Sequence, residues 1–230
     1  KPIVVLSNND GCIISLNAEA KAFNIPSYVP FFQVRKEIEE NNVHIFSSNY
    51  ELYGDISARV MNLLEPYGTE MEVYSIDEAF LELPGVDYQE HGKAMKNMLW
   101  KNVRMPVCVG VAPTKTLAKL ANHAAKKIKH FDGVCVLDEP HKWEWVLARI
   151  TTDKLWGVGK RICQRLHHLG IHNAQQLAQA NPKFLRKHFS VVLERTVREL
   201  NGKPCLDLDL EPAPRKEIIC TRSFSYKITE

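Results

Sequence analysis

The chain has 230 residues, 45% of them hydrophobic and 25% charged, with 30 Lys+Arg against 27 Asp+Glu for a net charge of +3. That length holds one large domain or two to three small ones, and the composition excludes a disordered or fibrous chain. No apolar run reaches the ~18 residues of a membrane-spanning helix, and six scattered cysteines without a CxxC pair argue against a zinc site or disulfide framework and fit a reducing cytosol.

In chain order, residues 3–7 read as a strand, followed by the turn Asn8-Asn9-Asp10-Gly11. Helices are expected over 18–23, 32–40 and 51–64, the last with Leu52, Ile56, Val60 and Leu63 on one face and Pro66 as its stop. A hairpin over 72–76 and 79–83 follows, then a helix over 88–103, a strand over 106–111, a helix over 114–129 and a strand over 133–137. From 51 to 137 the order is α-β-β-α-β-α-β. This is most of a ferredoxin-like βαββαβ core, which needs one more strand before its first helix. Residues 141–205 read as all-helical, and 206–216, with Pro212 and Pro214 near Asp207, Asp209 and Glu211, as a linker. Another strand is expected at 217–220, and both ends of the chain read as cut from a longer protein.

The hairpin carries the most informative residues. Asp77 and Glu78 interrupt an apolar strand pattern, with Val73, Tyr74 and Ile76 before them and Ala79, Phe80, Leu81 and Leu83 after. Carboxylates in such a setting call for a cation or an ion-pair partner. Their oxygens suit Mg²⁺, which takes one or two carboxylates together with substrate phosphates. A solvated hairpin tip would present the same two residues.

Charge distribution adds to this. Residues 114–130 hold five lysines and no acid, residues 154–165 hold Lys154, Lys160, Arg161 and Arg165 and no acid, and residues 183–198 hold five basic side chains against Glu194. Clustered basic stripes are the footprint of a nucleic-acid binder. On the helix over 114–129, 100° per residue brings Lys115, Lys119 and Lys126 to within about 40° of one another, opposite Leu117, Leu120, Ala121, Ala124 and Ile128. The stretch Gly110–Thr116 is not a phosphate-binding P-loop, because Thr114 stands where the glycine before the lysine must be. Gly157-Val158-Gly159-Lys160-Arg161 has the layout of a helix-hairpin-helix, whose glycine turn offers backbone N–H groups to a phosphate without reading sequence.

Taken together, Ser75-Ile-Asp77-Glu78-Ala79, Thr114-Lys-Thr-Leu-Ala-Lys-Leu-Ala-Asn-His-Ala-Ala-Lys126 and Trp156-Gly-Val-Gly159 resemble the Y-family translesion DNA polymerases. Val5–Gly11, Phe46–Tyr53, His188–Leu200 and 218–224 point to the UmuC group within that family, and the resemblance covers essentially the whole chain. It implies an α+β right-hand polymerase with a ferredoxin-like palm, small α/β fingers and a helical thumb containing the helix-hairpin-helix. Residues 1–50 would be part of the fingers, 51–139 the palm without its first strand, 140–205 the thumb, 206–216 a linker and 217–230 the start of a little finger. Asp77 and Glu78 would be catalytic and hold two Mg²⁺ ions. Lys126 would bind the triphosphate of the incoming dNTP. Lys21 would do the same in the fingers motif Asn17–Lys21, where alanine replaces the family's tyrosine and lysine its arginine. Gly157, Val158, Gly159, Lys160 and Arg161 would grip primer-template DNA.

The resemblance further implies SOS mutagenesis and DNA repair, a cytoplasmic, nucleoid-associated location, and UmuD′, RecA and the sliding clamp as partners. A third metal-binding aspartate and a bulky residue that excludes ribonucleotides belong to a family segment absent from this sequence, so the 230-residue chain alone is expected to be inactive. A non-catalytic damaged-DNA-binding module and a two-metal nuclease are the competing readings.

Overall fold

The computed structural model describes residues 1–211 and 217–219. The chain divides into two units, Lys1–Ser57 and Ala58–Glu211. The expected little-finger start at 217–230 lies outside the described residues except for 217–219, and so do residues 212–216 of the expected linker.

In the first unit, β1 (Ile3–Leu6) pairs antiparallel with β2 (Ile13–Leu16) and parallel with β3 (His44–Phe46), in the order β2-β1-β3. The four-residue helix α1 (Ala18–Lys21) and α2 (Phe31–Glu40) belong to the same unit. Its core is Val4, Leu6, Ile13, Leu16, Ala20, Ile25, Val34, Ile38 and Val43. The expected turn at Asn8–Gly11 is present, with Asp10 in the left-handed region at φ 56°, a conformation that Asp tolerates. Asn17 caps α1, its Oδ1 accepting from the Ala20 amide at 3.0 Å.

α3 (Tyr50–Leu64) leads from the first unit into the second and ends at a 3₁₀ turn containing Pro66. The second unit continues with the hairpin β4 (Glu70–Ser75) and β5 (Glu78–Glu82), α4 (Tyr88–Val103), β6 (Val109–Val111), α5 (Lys115–Lys127) and β7 (Val134–Val136). β6 and β7 are parallel, and β4–β5 is a separate antiparallel pair. The α-β-β-α-β-α-β order is therefore as expected. Among the described residues, however, the four strands make two sheets of two, with no strand joining the pairs. Gly110 explains the close seat of β6 on α5, because a Cβ there would lie 2.1 Å from the Asn122 amide nitrogen.

The remaining helices are α6 (Pro140–Leu147), α7 (Lys160–His168), α8 (Ala174–Gln179), α9 (Pro182–His188) and α10 (Val191–Leu200). Asn173 and Asn181 cap α8 and α9, and Pro182 occupies the first turn of α9. One apolar core runs from Leu117, Leu120 and Ala124 on α5 through Cys135 and Leu137 to Leu166, Leu177, Leu185, Val197 and Leu200. Glu199, fully buried on α10, ties the pieces together. Its carboxylate accepts from the Thr116 amide at 2.9 Å, the Thr116 hydroxyl at 2.6 Å and the amides of Cys205 and Leu206 at 3.0 and 3.1 Å. Glu199 thus joins the Thr114 cap in satisfying the N-terminus of α5 and fixes the segment that follows α10.

Candidate active site

Asp77 and Glu78 stand at the hairpin between β4 and β5, Ile76 and Asp77 forming its two-residue turn and Ser75 pairing with Glu78. A register shift between Val73 and Ser75 makes Tyr74 the extra residue of a bulge. Period-2 alternation then leaves Glu72, Tyr74, Glu78 and Phe80 on one face. Asp77 is exposed and accepts from the Ser75 hydroxyl at 2.6 Å.

α5 packs its lysine stripe against that face. The Lys119 ammonium donates to Glu78 Oε1 at 2.6 Å and lies 5.3 Å from the centre of the Tyr74 ring. Lys115 pairs with the buried Glu72, lies 4.9 Å from the Phe80 ring and donates to the Asp207 carbonyl at 2.8 Å. Glu72 also accepts from the Asp209 amide at 2.8 Å. These cation–π and charge-assisted contacts hold the carboxylate hairpin to α5. Lys126 lies seven residues beyond Lys119 on the same stripe, about 10 Å along the axis, and is exposed.

The glycine turn adjoins the same hairpin through Trp156. Its indole N–H donates to the Tyr74 hydroxyl at 3.0 Å, and its ring lies edge-on to Tyr74 at 5.5 Å and near Phe80 at 5.8 Å. Buried Leu155 and Val158 anchor the turn from below. Gly157 takes φ +79°, and a Cβ at Gly157 or Gly159 would meet nothing within 4 Å, so the backbone lies open above. Gly159 caps α7 without a side-chain hydrogen bond, leaving the first amides of α7 to an outside acceptor. Lys160 and Arg161 are exposed beside them.

The matching family model is the impB/mucB/samB family, over residues 1–123. The chain belongs to the impB/mucB/samB family. It is 47% identical to UmuC of Salmonella typhimurium, over all of this chain and 56% of that protein, and 39% identical to MucB of Escherichia coli, over 99% of this chain and 55% of that protein. The chain thus spans about half the length of the curated relatives it matches. It superposes on the insertion ternary complex of Dbh DNA polymerase with a TM-score of 0.71 at 25% identity, covering 87% of this chain and 60% of that one. The expected α+β fold of a Y-family polymerase is the fold of this impB/mucB/samB chain.

The structure brings Asp77, Glu78 and the α5 stripe together, with the glycine turn next to them. Lys21, exposed in the last turn of α1, belongs to the other unit. The sequence reading missed Lys119, Tyr74 and Trp156 as site residues. Lys119 was visible as part of the stripe, but nothing local signals that its partner is Glu78, 41 residues earlier. Of the two donors available to a metal here, both are hard carboxylate oxygens, the kind Mg²⁺ takes. No cluster of three or more His, Cys, Asp or Glu that could hold a metal occurs among the described residues. The donor chemistry of the pair fits Mg²⁺, with Glu78 Oε1 already bonded to Lys119. No helix of the described residues is long and apolar enough to cross a membrane.

Proposed function

We propose that this chain is the nucleotidyl-transfer portion of a Y-family translesion DNA polymerase, which extends a primer opposite damaged template bases with dNTPs. The observation that carries this reading is the adjacency of the Asp77-Glu78 hairpin, the α5 lysine stripe and the glycine turn, in a chain of the impB/mucB/samB family. In this reading 1–50 is part of the fingers, 51–139 the palm, 140–205 the thumb and 217–230 the start of the little finger. The parent protein works in the cytoplasm at the nucleoid during SOS mutagenesis, with UmuD′, RecA and the sliding clamp as partners.

Asp77 and Glu78 would hold the Mg²⁺ ions, which when bound would neutralise triphosphate charge and make the primer 3′-hydroxyl a better nucleophile. Ser75 orients Asp77 through its hydroxyl. Lys119 holds Glu78 in place and adds positive charge where phosphate charge arrives. Lys126 and Lys21 bind triphosphate oxygens. The amides around Gly157, Val158 and Gly159, with Lys160 and Arg161, hold duplex backbone whatever its sequence.

A Mg²⁺ titration of dNTP binding by the parent protein, with and without Asp77→Ala, tests the reading. Metal-dependent binding that is lost in the variant supports the polymerase. Metal-independent binding that is unchanged by the substitution would instead make this a plain DNA-binding module.

A further inference from the structure

Beside the stripe, a cavity of about 460 Å³ opens between the end of α5, the end of α6 and the segment leading into the glycine turn. Such a volume is within the range of small-ligand sites. Its apolar floor comes from Ile128, Ile150 and the half-exposed Trp145. Its rim is cationic, formed by Lys127, Arg149 and Lys154. The Arg149 guanidinium lies 3.8 Å from the centre of the Trp145 ring, held by a 2.9 Å hydrogen bond from Nη1 to the Trp145 carbonyl.

Lys154 is paired with Asp153 at 2.6 Å. Lys127 and Arg149 have no carboxylate partner among the described residues. No carboxylate lines the cavity. His123 is also on its wall. Burial, then the charges of Lys127 and Lys154, hold its imidazole below the ordinary range, with only Asp153 opposing.

An apolar floor, an arginine 3.8 Å over an indole and a second cation, Lys127, without a carboxylate partner among the described residues, form the combination that takes a base and its phosphate together. Lys127 is 100° around α5 from Lys126, and Lys126 does not line the cavity.

We infer that this cavity binds one phosphate-bearing nucleotide of a single DNA strand, separately from the incoming dNTP and from the duplex grip at the glycine turn. The inference rests on the DNA-polymerase reading only in taking the ligand to be DNA.

The test is fluorescence anisotropy of a labelled 16-residue oligo(dT) with the full chain, over a salt series. Lys127→Ala with Arg149→Ala should weaken binding about tenfold or more and reduce the salt slope by about 0.7, the value for one neutralised phosphate on a single strand. Arg149→Lys, which keeps the charge but not the stacked fork, should lie between. Thermal melts verify that each variant is folded, and the His123 imidazole resonances should move when the oligonucleotide is added. Binding within twofold of wild type for the double variant, while Lys160→Ala with Arg161→Ala weakens it, would overturn the cavity and leave the DNA reading standing. No loss with either pair would overturn both. If thymidine monophosphate shifted His123 but the double variant bound oligo(dT) normally, the ligand would be a free nucleotide and the strand assignment would be wrong.

Discussion

Tyr74 and Trp156 decide how the carboxylate hairpin and the glycine turn are joined. They are 82 residues apart in sequence and share one hydrogen bond and an edge-on ring contact. Trp156→Phe and Tyr74→Phe each remove the hydrogen bond and keep a ring. A double-mutant cycle by denaturant unfolding should therefore return a coupling of about 1 kcal/mol, and additive single effects would show that the contact carries no energy. Glu194 makes a second residue-scale case. The hydrogen bond from Arg198, with help from Arg186, lowers its pKa from the ordinary 4.5. A folded pKa below the unfolded one gives stability that is complete above the unfolded value and is lost as pH falls through the folded one. Melting temperatures should thus fall on acidification below about pH 4.5 less steeply in Glu194→Gln than in wild type. Identical slopes would remove Glu194 from the acid response.

At the scale of elements, α5 is the organising helix. Its lysine face holds the β4–β5 hairpin, its apolar face enters the main core and its N-terminus is closed by Thr114 and Glu199. Glu199→Ala removes an acceptor from buried donors at Thr116 and from the amides of Cys205 and Leu206, and should destabilise the unit by about 3 kcal/mol. It should also speed proteolytic cleavage near 203–209. Unchanged cleavage would mean that Lys115 and Glu72, through Asp207 and Asp209, suffice to hold the segment.

Helices were the legible part of the sequence. Those at 51–64, 88–103 and 114–129 agree with α3, α4 and α5 to within about two residues at each end, because their apolar spacing and caps are local. β2 and β3 were not legible. Each is three or four residues long, and all of β3 is exposed, so no alternation distinguishes it and only its pairing with β1 makes it a strand. At the site, the carboxylates and the lysine stripe could be read from the sequence. The pairing of Lys119 with Glu78, and of Lys115 with Glu72 rather than with a ligand, depends on tertiary packing that no spacing rule records.

At the scale of the whole molecule, a chain of two units has in its second unit carboxylates, a lysine stripe and an open glycine turn as neighbours. If each takes part in the proposed nucleotidyl transfer, the carboxylates must matter to chemistry far more than to folding or DNA affinity. Asp77 is exposed at a turn, bonded only locally to Ser75, and its replacement should cost little stability. The most direct measurement is single-turnover primer extension by the parent protein carrying Asp77→Asn, with the DNA dissociation constant measured on the same preparation. The predicted result is a loss of at least a hundredfold in the incorporation rate, with DNA affinity within twofold of wild type. An incorporation rate within a few-fold of wild type would contradict the assignment of this hairpin as the catalytic centre.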